Sequence, residues 1–390
     1  MYHGVGPASP GWLWNHLTTP VDVFEGQMSL LKERGWSTIS LDELYAHMAF
    51  GRKLPGKPVV LTFDDGYLNN WVYAYPILKK YGHRAVIWIS TDFVDPRDLV
   101  RPTLEDHWEG KAELEELSAP GFVSWEELKR MTGSGLIEAQ SHAKTHTWYF
   151  SGPRVIDFHR PEEAGGYSAP PWLGWNMYPD RKFEYISAGL EKDIPLGTPI
   201  YEHGKSLVTR RYFEDKGLTA RLVGHVSANG GAGFFLNRDW RQDLLEIVGD
   251  SPGGGRFETD QEYEGRVRAE LVQSREEIET ALGTEVKFLC WPGGGRNQRV
   301  IRIALEEGYL ATTTHFNDPQ RRNVYGQDKT EINRVGCGSP WVWHDKIFHR
   351  TDPGFFLAML SDFAGNKKSI WIMRLYKLRY VFRCYLFGKC

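Results

Sequence analysis

The chain has 390 residues, 41% hydrophobic and 25% charged, with a formal net charge of −3. These are the proportions of a folded globular protein, and they exclude a disordered or collagen-like chain. The four cysteines, Cys290, Cys337, Cys384 and Cys390, form no C-x-x-C pair and are too few for a disulfide scaffold, so a reduced, cytoplasmic chain is expected. The length suits one α/β barrel with an insertion. Met1-Tyr2-His3 opens without a basic or apolar leader, and no secretory signal is read there.

In chain order, Gly26 to Gly35 reads as a short amphipathic helix closed by glycine, and Trp36 to Ser40 as a strand. Ser40 with Glu43 forms a capping box opening a second helix. The β-branched run Val59-Val60-Leu61-Thr62-Phe63, entered from Pro55 and Pro58, is a buried strand that stops at Asp64-Asp65-Gly66. A helix over 70–80 and a buried strand Ala85 to Ser90 follow, then a polar loop over 95–120. A helix runs from Ser124 to about Gly133, and an apolar segment Leu136 to Gln140 leads into Ser141-His142-Ala143-Lys144-Thr145-His146. Later elements are helices at 262–282 and 301–307 and strands at 286–291, 309–315 and 331–335. Strands alternating with helices of about ten residues predict a parallel sheet closed or nearly closed into a barrel, whose chemistry gathers at the carboxyl ends of the strands.

Two of those ends carry chemistry. Asp-Gly after a strand is by itself a common turn with solvated carboxylates, and a lone His pair is often a surface accident. Together, a carboxylate at one strand end and two imidazoles four apart at another make the two-His-one-carboxylate set that holds a divalent metal with positions left open.

At this point the sequence resembles the polysaccharide deacetylases with the NodB homology domain, carbohydrate esterase family 4. Thr62-Phe63-Asp64-Asp65-Gly66 is similar to the first motif of that family, and Ser141-His142 through His146 to the second. The likeness extends to Met1–Val5, to Pro76–Gly82 and to Phe288–Gly294, and covers roughly 1–147 and 262–336. It implies a deformed (β/α) barrel of the NodB type. It also implies Asp64 as general base and Asp65, His142 and His146 as ligands of a divalent ion, zinc being the metal expected. The backbone N–H of Tyr67 would stabilise the oxyanion. A divalent ion so held acidifies water toward a pKa of about 7 and polarises a carbonyl.

The sequence departs from the family pattern in two places. No arginine precedes Pro292, where the family often carries the one that orients the base; Arg296 is the alternative. No Leu-x-His string supplies the acid for the leaving amine, and His315 is the first choice with His225 as the alternative.

The expected domains are a barrel of 1–147 and 261–345, an insertion of 148–260 over the catalytic mouth, and a basic, aromatic-rich tail of 346–390. The expected activity is N-deacetylation of an amino sugar in a polysaccharide, oligosaccharide or lipid-linked glycan. A related amide or ester hydrolase and a non-catalytic glycan-binding protein are the alternatives. A carbohydrate is the expected partner, nucleic acid is not, and the oligomeric state is open. From Gly365 to Cys390 there are 7 Lys and Arg and no acid, which leaves 47 − 7 = 40 basic against 50 acidic residues elsewhere. That asymmetry predicts peripheral contact with an anionic membrane surface at its inner face, or a helix packed on the barrel.

Overall fold

In a computed structural model of the chain the described residues are 1–161, 170–184, 189–249, 254–314, 322–336, 341–343, 346–348 and 352–387. They form two compact units: Met1–Ala143, Ser274–Gly294 and Gly308–Cys390 make the first, Lys144–Gln273 and Gly295–Glu307 the second.

The first unit is built on six parallel strands, β1 (Leu61–Phe63), β2 (Ala85–Ile89), β3 (Ile137–Ser141), β4 (Phe288–Leu289), β5 (Ala311–Thr313) and β6 (Glu331–Ile332). Their order across the sheet is β6-β5-β4-β3-β2-β1. All five residues of β2 are buried, as expected of a parallel strand covered on both faces. Tyr2 lies alongside β1, donating its N–H to Thr62 O at 2.7 Å and accepting from Asp64 N at 3.0 Å. The Met1 amino group donates to Val335 O, just past β6, at 2.9 Å. Residues 1–2 therefore join the two edges of the sheet. The result is a deformed (β/α) barrel, with Val86, Trp88, Phe288 and Ile332 packed against Ile39, Leu41 and Met48.

Its helices include α1 (Val21–Glu33), α2 (Leu41–Phe50), α3 (Tyr75–Tyr81) and α4 (Trp125–Gly133). Ser40 and Glu43 cap α2 reciprocally, and Ser124 and Glu127 do the same for α4. The expected strand 59–63 is divided between two partners. Lys57–Val59 pairs with Trp36–Thr38, whereas β1 pairs with β2, so the run changes sheet at Val60. The helix expected over 70–80 begins as a π-helical turn, Asn70–Ala74. The stretch 95–120 is not all loop, since Thr103 and Asp106 cap a short helix, Leu104–Trp108.

One side chain extends the short backbone pairing between β3 and β4, which is limited to Ser141 opposite Leu289. Gln140 Oε1 accepts from the N–H groups of Lys287 and Phe288, both at 2.9 Å, and its Nε2 donates to Glu138 Oε1 at 2.9 Å and Glu285 O at 3.2 Å. Both ends of the amide are satisfied, which fixes its orientation.

Residues 148–260 lie wholly in the second unit. A long antiparallel pair, Trp148–Phe158 against Pro199–Lys205, is joined there by helices Lys216–Ala228 and Trp240–Gly249. Phe158, Leu222, Val226, Phe235 and Leu244 form its core. A buried ion pair secures it: Glu258 accepts from Arg266 at 2.7 and 3.0 Å and from Arg211 N at 2.9 Å.

Candidate metal centre and catalytic site

The acids of the first motif follow β1 directly. Asp64 keeps extended pairing through Tyr2, and the chain then turns sharply, with Asp65 at φ 74° and Gly66 at φ 71°. That turn sends the two adjacent carboxylates in different directions. The loop Ser141–Thr147 carries both histidines and takes the chain from the first unit into the second. It is bent by Ser141, whose Oγ accepts from Ala143 N at 3.0 Å and pairs with Ser274 Oγ at 2.9 Å. Ala143 and His146 have φ of 58° and 38°. Among the described residues, the non-glycine positions with positive φ are Asp65, Ala143 and His146, all in these two turns.

His142 is buried, and its Nδ1 donates to Cys290 O at 2.9 Å. This bond puts a proton on Nδ1 and turns Nε2 toward Asp65 Oδ1, 3.1 Å away. Two electron-rich atoms at that separation need a proton or a cation between them. The ligand atoms of Asp65, His142 and His146 all lie within 4.8 Å of one another. Donors 2.0–2.1 Å from a tetrahedral ion would stand about 3.3 Å apart, so the carboxylate, the two imidazoles and the fixed tautomer fit a divalent metal. Asp64, His142 and Cys290 form a second close group. There the Arg334 guanidinium already occupies the acceptors, so that group does not suit a cation.

Asp64 is gripped from the end of β6. Arg334 Nη1 and Nη2 donate to its two oxygens at 2.7 and 3.1 Å, and Nη2 also reaches Cys290 Sγ at 2.9 Å. Burial pushes the Asp64 carboxyl up, but Arg334, His3 and His142 outweigh it and hold it below the usual range. The arginine is itself framed on both sides. Asn323 accepts from Asn333 N and donates to Asn333 O, both at 2.8 Å, and Val335 O is bonded to the Met1 amino group.

Tyr67 forms an antiparallel bridge with Phe122. Its bonds run from Leu68 N to Gly121 O and from Val123 N to Gly66 O, so the Tyr67 N–H is not used by it. The Tyr67 hydroxyl donates to Asp65, and its pKa is raised well above the ordinary value by burial first and that carboxylate second. Trp14 stacks on the Tyr67 ring at 5.6 Å, and Trp12 meets both rings edge-on.

The guanidinium at Asp64 is therefore that of Arg334 and not of Arg296. His225 packs edge-to-face on Phe234 at 5.4 Å, beside the second unit's core. His315 lies outside the described residues. His3 escaped the sequence reading although it sits among the charges of Asp64, Asp65, Arg334 and His142. Burial lowers its pKa, Arg334 and His142 add to that, and the two carboxylates oppose it. Its place in Tyr2-His3, next to the residue that pairs with β1, is the signal that could have found it.

Residues 51–163 match the polysaccharide deacetylase family model. The chain thus carries a polysaccharide deacetylase domain of the NodB type. It is 37% identical over 89 residues to YxkH of Bacillus subtilis (strain 168), 23% of this chain and 30% of that one. It is 30% identical over 127 residues to the poly-β-1,6-N-acetyl-D-glucosamine N-deacetylase of Escherichia coli (strain K12), 31% of this chain and 16% of that one. The matches thus span less than a third of either relative. Among solved structures, the BpsB deacetylase domain from Bordetella bronchiseptica aligns with a TM-score of 0.46 at 20% identity, over 79% of this chain and 81% of that one. IcaB from Ammonifex degensii aligns with a TM-score of 0.45 at 17% identity, over 86% and 88%.

Proposed function

We propose that the protein is a metal-dependent N-deacetylase of N-acetylated amino sugars within a polysaccharide, oligosaccharide or lipid-linked glycan. The observation that carries this reading is the pair of adjacent carboxylates with separate surroundings. Asp64 is held by Arg334, and Asp65 lies with His142 and His146. A divalent ion held by Asp65, His142 and His146, zinc by the donor set, would supply Lewis-acid polarisation of the acetamide carbonyl and acidify a water.

The chain's own groups do the rest. Asp64, kept ionised and aimed by Arg334, takes the proton of the attacking water, a contribution of about 10²- to 10⁴-fold. The free N–H of Tyr67 donates to the oxyanion that forms as the carbonyl carbon becomes tetrahedral. Cleavage of the carbon–nitrogen bond then releases acetate and the amine, and the proton the amine requires is assigned to His315. Trp14, stacked on Tyr67, offers an aromatic face to a sugar ring. The E. coli relative supports a β-linked N-acetylglucosamine polymer as the first substrate to try.

The test is acetate release from acetylated glucosamine oligomers of β-1,6 and β-1,4 linkage, before and after metal stripping. Release that stops on stripping and returns with zinc supports the proposal. Hydrolysis of simple aryl acetates alone, with no oligosaccharide cleaved, would replace it with an esterase.

A further inference from the structure

The helices α5 (Pro353–Phe363) and α6 (Ser369–Phe387) form an antiparallel hairpin in the first unit. At about 100° per residue, Ser369, Met373, Tyr376 and Tyr380 fall on one side of α6. This side is the packed one. Ser369 is buried, the Tyr380 hydroxyl accepts from Asp352 N at 3.0 Å, and the Tyr376 ring meets Phe355 edge-on at 6.3 Å.

The same rotation brings Trp371, Leu375, Leu378 and Phe382, spaced i, i+4, i+7 and i+11, onto the opposite side. These four are 67, 66, 56 and 63% exposed. A core-facing helix has one apolar stripe, whereas α6 has two, and the second is turned to solvent. Arg374 and Lys377 border that stripe on one flank and Arg379 on the other. Arg374 lies over the Trp371 ring at 4.9 Å, and Arg379 stands 3.9 Å from Asp352. From Gly365 onward the chain has seven basic residues and no acidic ones.

We infer that α6 is an interfacial anchor that lies in the plane of an anionic lipid surface, with Trp371, Leu375, Leu378 and Phe382 among the acyl chains and the flanking cations at the headgroups. No helix among the described residues is long and apolar enough to cross a membrane. Attachment is therefore peripheral and reversible by salt. A nucleic acid would satisfy the cations and leave the apolar stripe in water. A second copy would cover the stripe but set the cations that flank it against their own kind. An anionic leaflet answers both features at once. This inference stands apart from the deacetylase reading and survives its failure.

The test is sedimentation of the full chain with vesicles of phosphatidylcholine alone or mixed with phosphatidylglycerol, at low and high salt. The expected result is binding to the mixed vesicles at low salt that falls at least about tenfold in high salt. Leu375→Glu/Leu378→Glu should lose at least about tenfold of that binding with an unchanged thermal unfolding curve, because both side chains are exposed. Arg374→Gln/Lys377→Gln should reduce it and flatten its salt dependence. Equal binding to both vesicle types, or no binding by the full chain, overturns the inference. So does duplex DNA binding without vesicle binding, or a dimer abolished by the leucine variants in protein that ignores lipid.

Discussion

Arg334 and Asp64 stand 270 positions apart and meet through two parallel contacts of 2.7 and 3.1 Å. A fork-to-fork pair fixes both the direction and the charge of the carboxylate, which an ammonium on a flexible stem cannot do. Arg334→Lys is therefore expected to keep bound metal and lower the deacetylation rate by about 10²-fold, the scale of a misplaced reacting group. Arg334→Ala leaves a buried, unpaired carboxylate and should cost about 3–5 kcal/mol in denaturant unfolding. Full activity in the lysine variant would show that orientation is not what Arg334 provides.

The roles assigned to the adjacent acids separate in a two-variant experiment. Asp64→Asn should hold nearly the wild-type amount of zinc after dialysis while activity falls by about 10²- to 10⁴-fold. His146→Ala should lose metal and activity together. Equal metal loss in both would undo the division between base and ligand.

Gln140 supplies what sheet pairing leaves out between β3 and β4. Gln140→Ala strips the acceptor from Lys287 N and Phe288 N. A buried donor left unsatisfied costs about 1–3 kcal/mol; Phe288 N is buried and Lys287 N partly so, and a loss of about 1–3 kcal/mol from the first plus a smaller one from the second is expected. It should appear as a lower urea midpoint of the first unit's transition at unchanged slope.

In the second unit, burial raises the Glu258 carboxyl, but the bonds from Arg266 and Arg211 outweigh it and leave it below its ordinary value. A depressed folded-state pKa stabilises above the unfolded value of about 4.3 and loses that contribution as pH falls through the folded one. Wild-type protein should thus lose stability on acidification below about pH 4. Glu258→Gln, less stable at neutral pH, should show a shallower decline there. Parallel acid-unfolding curves would mean that Glu258 does not govern this transition.

Both motif turns were legible because each ends an apolar run with ionisable residues, Asp64-Asp65 and His142, that a core admits only with partners. The capping boxes at Ser40 and Ser124 were legible for the same local reason. Arg334 was not. The strand carrying it could be read, but its contact with Asp64 depends on the curl of the sheet, which no local pattern encodes. The run 59–63 looks continuous because β-branched and apolar residues follow one another without a break, although burial deepens from Val59 to Phe63 and pairing changes partner at Val60. The short helix at Leu104 hid behind a cap closed by Asp106 instead of the usual glutamate or glutamine.

The three left-handed residues of the two turns also bear on any attempt to make the protein more heat-resistant. A non-glycine residue in that conformation costs about 1–2 kcal/mol, so a library screened for thermal tolerance would be drawn to glycine at Asp65, Ala143 and His146 alike. Two of those gains would remove a proposed ligand, the usual conflict between ruggedness and turnover. Ala143, which contributes no side-chain chemistry, is the one of the three where the conformation could be eased and the ligand set retained.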